Sequence, residues 1–401
     1  MKFWSVVSAG VCVVLSVPCL AQLSDAEIAK RMAEMNQKRA AAAAAGPAAT
    51  TAPSTGEPTP PPVVKHTGPT YYLAPLRGEV GTSMIASNLE KMLADAATRS
   101  PTVFVIQMDS PGGAVAEVDR LIDVISKYKK QMRIVVWVHK AISAAAITSL
   151  CVDEIYIQKG AVFGAATAFR ITPQGSAEDI EEKMQSAWRA KGRSAAELGN
   201  HPSLLAEGMI DASTGIYMTR AGGKPSLAAD ALPGSTVVKK PGKLLTLTAT
   251  EAVDCGLALS LAGDVDELGK AMGFAGWKPC EGIGVPLADW WEARLETVNK
   301  DWKAANAKLD GALKSARLND PSTFDDYQSR PPADAVRLWN SRLTKCAEDL
   351  RRAEVELRSM KKLTDQHPML KIYKEATERF ASDITAIRQR IEQGRIRIPL
   401  R

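Results

Sequence analysis

Apolar residues between positions 71 and 157 form short continuous runs that are separated by stretches with helical spacing. The runs Tyr71–Leu76, Thr102–Met108 and Met132–Val138 predict strands, and continuous apolar runs are typical of strands covered on both faces. Between them, Met84–Ala97 and Val115–Tyr128 predict amphipathic helices. Strands and helices that alternate at this spacing predict an α/β fold with parallel strands.

The last third of the chain has a different pattern, in which apolar residues recur at intervals of four and three. Trp291–Leu309 and Trp339–Met360 follow this rhythm, and Tyr373–Ile391 comes close to it. Such intervals are typical of helices that pack through a and d positions. Prolines separate three helices, at Pro321, Pro331, Pro332 and Pro368. We therefore predict an all-α, coiled-coil-like module over residues 287–401, folded as a hairpin bundle or paired between chains.

The first residues predict export. Lys2 gives a positive start, Val6–Leu20 is mostly apolar, and small residues precede Gln22, which is the pattern of a secretory signal peptide over residues 1–21. An uncleaved N-terminal anchor is the alternative, although the apolar run is short for a membrane span. Residues 22–69 are rich in alanine and proline and predict a linker. We expect a periplasmic or secreted protein.

Composition narrows the function classes. The 401 residues are 45% hydrophobic and 24% charged, which suits two or three folded domains. The net charge of +6 is mild and no basic stripe interleaves with aromatics, so we expect no nucleic-acid partner. No phosphate-binding or metal-binding motif occurs, and we expect no cofactor and no metal. Four cysteines follow the signal segment and predict either separate buried thiols or one disulfide, namely Cys151, Cys255, Cys280 and Cys346.

Two segments that follow predicted strands carry candidate chemistry. Asp109–Gly113 contains Gly112 and Gly113, which allow unusual backbone angles and can aim N–H groups at an oxyanion. A plain turn is the alternative for this segment. His139–Ala146 places Ser143 among small residues at a strand-to-helix junction, where it has room for a substrate. A serine in this place can equally be a helix N-cap.

Together and in this order, the two segments resemble the ClpP/crotonase superfamily, and more closely the NfeD-type membrane-bound serine proteases. The resemblance runs from about Tyr71 to Phe274 and includes the segments DEIYIQKGAVFGAA and LLTLTATEAVDCGLA. It implies a layered β-β-α fold with parallel strands over residues 70–278. It also implies a peptide or protein substrate and a homo-oligomer. The site residues that it implies are Ser143 as nucleophile and Gly112, Gly113 and the N–H of Ala144 as oxyanion hole.

The catalytic base departs from the family pattern. The resemblance implies a lysine on a downstream helix, and an ungapped alignment puts Arg193 at that position. Arginine keeps its proton in proteins and cannot act as a base. A shifted alignment makes Lys191 the base. The histidines do not match the position that the resemblance to ClpP implies for a histidine base, namely His66, His139, His201 and His367.

Two functions follow from these residues. The first is an exported serine endopeptidase-like protein, with Ser143 as nucleophile and Lys191 as base. The alternative is a catalytically inactive member of the same fold, indicated by Arg193, that acts as a peptide-binding or oligomeric scaffold. In either case the C-terminal helices are expected to mediate self-association or to dock a protein partner.

Overall fold

The computed structural model describes residues 56–171, 177–320, 331–367 and 373–396, except Lys65, together with Leu370. The predicted signal peptide and most of the predicted linker lie outside these residues. The strands in chain order are β1 (Thr70–Arg77), β2 (Val103–Ser110), β3 (Ile134–Ile142), β4 (Glu154–Ile157), β5 (Val162–Gly164), β6 (Phe169–Ile171), β7 (Ala177–Asp179), β8 (Ile216–Ala221), β9 (Lys224–Ala228), β10 (Thr236–Lys239), β11 (Thr246–Thr248), β12 (Ser260–Leu261) and β13 (Lys278–Pro279).

The helices fall into two groups, seven shorter ones among the strands and three long ones after them. In chain order they are α1 (Ala86–Arg99), α2 (Val115–Tyr128), α3 (Ala144–Ser149), α4 (Glu182–Leu198), α5 (Ser203–Ile210), α6 (Ala249–Asp254), α7 (Val265–Ala271), α8 (Gly284–Leu318), α9 (Pro332–Gln366) and α10 (Lys374–Ile396).

Contacts divide the chain into two compact units. The described part of one unit comprises Gly56, Phe169–Ile171 and Ala177–Asp179, and it contains the antiparallel pair β6–β7. The other unit comprises the described residues between Glu57 and Ala168 and those from Ile180 onward, and it contains the remaining strands and all ten helices of the described chain. The long helices therefore belong to the same unit as the main sheet.

The main sheet has eight strands and is mostly parallel. Its central order is β11-β5-β3-β2-β1-β13, with β4 paired to β3 and β12 paired to β4. Neighbouring strands β1, β2 and β3 run parallel in a register that aligns Leu73, Val105 and Val135. The pair β11–β5 is antiparallel. The predicted α/β fold with parallel strands is confirmed.

Both faces of the central strands are covered, as the continuous apolar runs predicted. On one face, Phe104, Ile106 and Val136 lie in the large core formed with α1, α2 and α3. On the other face, Val105 and Trp137 belong to a smaller cluster closed by α7 and by the segment before β13. Alternate residues of one strand thus enter opposite cores, because side chains alternate across a strand.

The predicted all-helical segment is also confirmed. Helices α8, α9 and α10, called the helical segment below, share one core formed by the a/d-type residues of the sequence pattern. Ion pairs lie at its edges: Arg317 of α8 is 2.6 Å from Asp383 of α10, and Arg390 of α10 is 2.9 Å from Asp320, two residues after the end of α8. None of the helices in the described ranges is both long enough and apolar enough to cross a membrane.

Asp95 joins the sheet domain to the helical segment. Its buried carboxylate accepts hydrogen bonds from the Tyr72 hydroxyl at 2.8 Å, from the Ile283 N–H at 2.9 Å and from Arg99 Nε at 2.9 Å. Burial favours the neutral acid, but the hydrogen bonds from Arg99, Ile283 and Tyr72 outweigh it and hold the pKa of Asp95 below its usual value. Arg99 also donates to the Pro61 carbonyl at 2.8 Å, which fixes the end of the predicted linker.

The four cysteines are buried free thiols, so in this structure the prediction of separate thiols is confirmed over that of a disulfide. Burial raises the pKa of Cys151 to about 12 and that of Cys346 to about 11. Thiols with such pKa values are poor nucleophiles, because the thiolate is the reactive form.

Candidate active site

Ser143 occupies a sharp turn between β3 and α3. Its backbone angles are φ 55° and ψ −126°, in the left-handed half of conformational space that favours glycine. Such a conformation costs about 1–3 kcal/mol in a residue with a side chain, and strain of this kind is concentrated at functional sites. The Ser143 N–H donates to the Gly164 carbonyl at 2.9 Å, and its carbonyl accepts from the N–H of Ala146 at 2.9 Å. The neighbouring strand β5 therefore holds the serine in this turn.

The Ser143 hydroxyl does not cap the helix that follows it. Ser143 stands at the N-cap of α3, but its side chain accepts no hydrogen bond from the first turn. The N-cap interpretation left open by the sequence is therefore not what the structure shows. Helix α3 lies against the sheet through Ala144, Ala145 and Ala146, all fully buried. Ser143 as a residue is half-buried, and its hydroxyl is not used to cap α3.

The double-glycine turn lies directly against the serine. A Cβ on Gly112 would stand 2.5 Å from the Ser143 Cβ and 2.8 Å from the Ile142 carbonyl oxygen. Gly112 also has φ 98°, a conformation that side chains rarely adopt. A Cβ on Gly113 would stand 2.3 Å from the Val80 carbonyl oxygen. Both glycines are therefore required for close approach, and the structure brings this turn and Ser143 together.

The N–H groups of the turn differ in their availability. The Gly112 N–H donates to Ser110 Oγ at 3.1 Å. Val80 donates to the Gly112 carbonyl and accepts from the Ala114 N–H, at 2.8 and 2.9 Å. Because Val80 bonds to the groups on either side of Gly113, the N–H of Gly113 itself points away from Val80.

The N–H of Ala144 belongs to the first turn of α3, where no acceptor exists within the helix. Of the three groups predicted for the oxyanion hole, Gly113 and Ala144 thus keep N–H groups that these bonds do not use. Gly113 is also exposed to solvent, whereas Gly112 is buried.

The basic residues of α4 make ion pairs with neighbouring helices. Lys191 Nζ lies 2.6 Å from Asp119 of α2, and Arg193 Nη1 lies 3.7 Å from Glu207 of α5. Gly192 between them faces inward, where a Cβ would stand 3.6 Å from the Ile147 side chain. Among the described residues, no side chain forms a hydrogen bond with Ser143 Oγ. The structure therefore does not bring Lys191 or Arg193 onto the serine hydroxyl.

Two residues of α4 that the sequence analysis did not select hold the segment after β5 by hydrogen bonds. The buried Trp188 donates from its indole to the Ala166 carbonyl at 2.6 Å, and Gln185 donates to the Ala168 carbonyl at 3.0 Å. They hold the segment that continues from Gly164, the acceptor for Ser143. A single tryptophan in an otherwise polar helix was the signal in the sequence that could have indicated this contact.

His139 lies on the opposite side of the sheet from α3. Its ring packs edge-on against Trp137 at 4.3 Å and lies 3.3 Å from the Gln107 amide. Burial lowers the pKa of His139, and nearby Asp109 opposes this effect only in part. In the described ranges, no three His, Cys, Asp or Glu side chains are grouped so that they could hold a metal ion.

Fold and site together define an α/β protein that presents a strained serine beside a double-glycine turn. The family model for the NfeD1b N-terminal domain matches residues 70–278, just over half of the chain. The chain therefore belongs to the NfeD1b N-terminal domain family, and the predicted NfeD-type relationship is confirmed.

Among curated proteins, the membrane protein NfeD1b of Bacillus subtilis strain 168 is 30% identical over 206 residues, which cover 51% of this chain and 41% of the relative. The chain thus matches less than half the length of this relative. Among solved structures, the 1510-N membrane-bound stomatin-specific protease is 19% identical with a TM-score of 0.41, covering 51% of this chain and 86% of that one. ClpP1 from Listeria monocytogenes is 17% identical with a TM-score of 0.33, covering 49% and 94%.

Proposed function

We propose that this protein is a serine endopeptidase-like hydrolase with Ser143 as its nucleophile. The observation that carries the proposal is the strained turn at Ser143, whose hydroxyl does not cap α3 and which contacts the glycine at position 112. Strain at a strand-to-helix turn is the device by which other hydrolases present a nucleophilic serine. The sequence resemblance to NfeD-type proteases indicates a peptide or protein substrate.

In the proposed reaction, the proton of the serine hydroxyl passes to a base and then to the leaving amine. Ser143 Oγ attacks the peptide carbonyl carbon while its proton passes to a base, and the carbonyl oxygen becomes an oxyanion. The N–H groups of Gly113 and Ala144 stabilise that oxyanion. The intermediate then expels the amine, which takes the proton from the base, and water hydrolyses the acyl-enzyme by the same steps.

The base in this proposal is a lysine of α4. Lys191 can act only in a state in which it has left Asp119, because a base must be neutral and must reach the serine. Lys183, in the first turn of the same helix, is a second lysine that can be tested, and its side chain is exposed. Arg193 is excluded as a base by its chemistry.

An inactive, peptide-binding member of the family is the second candidate. It is favoured by the ion pairs of Lys191 with Asp119 and of Arg193 with Glu207, which leave Ser143 without a base. The glycine turn would then hold a peptide carbonyl without cleaving the bond. Under either function we place the protein outside the cytoplasm, on the signal-peptide pattern of residues 1–21, and expect it to act as a homo-oligomer.

A fluorophosphonate probe on the purified protein separates the two functions. Saturable labelling that is lost in Ser143→Ala and kept in Ser186→Ala, an exposed serine on α4, supports the hydrolase. Loss of labelling in Lys191→Ala or in Lys183→Ala identifies the base. The pH range 6–10 covers roughly the values at which a buried lysine titrates. Absence of labelling across this range favours the inactive member.

A further inference from the structure

We propose that Trp291 of the helical segment is a positioning residue for the oxyanion turn at Gly112–Gly113. It acts through residues Gly78–Met84, called the bracing loop below, which lie between α8 and that turn. The role in catalysis rests on the proposed hydrolase function. The mechanical coupling itself does not depend on it.

The bracing loop is bonded directly to the glycine turn. Val80 donates to the Gly112 carbonyl at 2.8 Å and accepts from the Ala114 N–H at 2.9 Å, which forms a short parallel bridge at Gly113. Gly78 donates to the Asp109 carbonyl at 3.0 Å, just before the turn. The bracing loop therefore holds the turn through hydrogen bonds to the residues on either side of Gly113.

Internal bonds make the bracing loop one compact piece. The Glu79 carbonyl accepts from the N–H groups of Thr82, Ser83 and Met84 at 3.0–3.3 Å, and Gly81 donates to the Met84 carbonyl at 2.8 Å. Val80 and Met84 are 1% exposed, so the loop is packed as well as bonded. A displacement at Thr82 is therefore transmitted to Val80.

The helical segment holds the outer side of this loop. The Trp291 indole Nε1 donates to the Thr82 carbonyl at 2.9 Å in a buried hydrogen bond. Trp291 is itself 9% exposed and belongs to the core of the helical segment, against which Ile85 also packs. A chain of contacts thus joins the helical core to Gly113: Trp291 bonds to Thr82, Thr82 and Val80 belong to the same loop, and Val80 pairs with Gly113.

Loss of the indole N–H would leave the buried Thr82 carbonyl without a donor, and a buried unsatisfied group destabilises its local structure. The loop then relaxes to solvate this oxygen, and the Gly113 N–H shifts with it. Donors of an oxyanion hole act on the transition state, so a small shift lowers the maximal rate more than it weakens substrate binding.

The test compares Trp291→Phe with Trp290→Phe, which removes an indole from the half-buried neighbour on α8. We measure saturable labelling of Ser143 by a fluorophosphonate and hydrogen exchange of the Ala114 amide, which is bonded to Val80. For Trp291→Phe we expect a maximal labelling rate about 10-fold lower with an unchanged half-saturating concentration, and faster exchange at Ala114. For Trp290→Phe we expect neither change.

The outcomes are distinguishable from failure of the proposed function. If the unmodified protein does not label, the hydrolase proposal fails and exchange at Ala114 alone decides the coupling. If Trp291→Phe labels and exchanges like the unmodified protein, the inference is wrong. Equal losses in both tryptophan variants would also overturn it, because they would reflect general weakening of the helical segment.

Discussion

Gly112 approaches Ser143 so closely that the hydrogen atom of a glycine is the largest group that fits between them. The two residues follow neighbouring parallel strands, and the register Ser110–Ala141 brings both to the same edge of the sheet. A Cβ at position 112 would stand 3.1 Å from Ser143 Oγ as well as 2.5 Å from its Cβ. The turn and the serine are therefore packed against each other, with no space for a side chain at position 112.

We expect Gly112→Ala to lower the rate of probe labelling at Ser143 by about 100-fold or more. The added methyl group collides with Ser143 Cβ and the Ile142 carbonyl, so the turn must move away from the serine. The displaced turn carries the Gly113 N–H away from the oxyanion, and the loss of one such donor lowers the rate by about this factor. Gly160→Ala is the matched control, because Gly160 also has a positive φ, 87°, but no atoms lie within 4 Å of its Cβ position. Labelling at an unchanged rate in Gly112→Ala would contradict the assigned site.

The strain at Ser143 predicts a gain in stability when the side chain is removed. Ser143→Gly should unfold at a higher denaturant concentration than Ser143→Ala, because only glycine adopts φ 55° without strain. The expected difference is about 1 kcal/mol. Both variants lack the nucleophile, so comparison between them isolates the backbone effect. Equal stabilities would mean that the turn at Ser143 relaxes in solution.

The sequence predicted the elements of the site but not the way they are held. Continuous apolar runs identified β2 and β3, and the small residues after Ile142 indicated the serine turn. The pairing of Trp291 with Thr82 joins residues 209 positions apart, and no local pattern contains it. The apolar rhythm predicted only that Trp291 packs in a helical core.

The ion pair of Lys191 with Asp119 could not be predicted from the sequence either. Its partner Asp119 lies on α2, and which carboxylate a long side chain reaches depends on how two helices are rotated against each other. The alignment concerned only the position of residues along the chain. It therefore could not show that Lys191 pairs with Asp119 whereas Arg193 pairs with Glu207.

Releasing Lys191 from Asp119 should reveal whether it is the base. If it is, Asp119→Asn increases the labelling rate of Ser143 near neutral pH, because the amide no longer binds the lysine as an ion pair. Lys191→Ala then labels no faster than the background. Glu207→Gln, which removes the partner of Arg193, is the control and should change nothing. Normal labelling in Lys191→Ala with loss in Lys183→Ala would assign the base to Lys183.

Asp95→Asn should be strongly destabilising, by about 3–5 kcal/mol, because it leaves the buried Arg99 guanidinium without its carboxylate. Because the pKa of Asp95 is lowered in the folded protein, the ionised carboxylate stabilises the fold. This stabilisation is complete above the ordinary pKa of 3.8 and is lost as the pH falls through the lower folded-state pKa. Chemical unfolding at several pH values measures both effects. The exposed Asp123→Asn on α2 is the control. A loss below 1 kcal/mol would show that Asp95 does not join the two parts as described.

His201 should make the folded protein less stable below neutral pH. It donates from Nε2 to the Val152 carbonyl at 2.8 Å, and burial lowers its pKa below the ordinary 6.5 although this bond and Asp153 oppose the shift. The unfolded chain therefore binds a proton first as the pH falls through 6.5, and the free energy of unfolding decreases from there to the folded-state pKa.

His201→Gln keeps a hydrogen-bond donor without the titration, so its stability should depend less steeply on pH between 5 and 7. His139 and His367, whose pKa values are also lowered mainly by burial, keep their shares of the dependence in this variant. His66→Gln, at an exposed position, is the matched substitution for comparison. An identical slope in His201→Gln and the unmodified protein would show that the imidazole is solvated, and that the contact with Val152 does not bury it in solution.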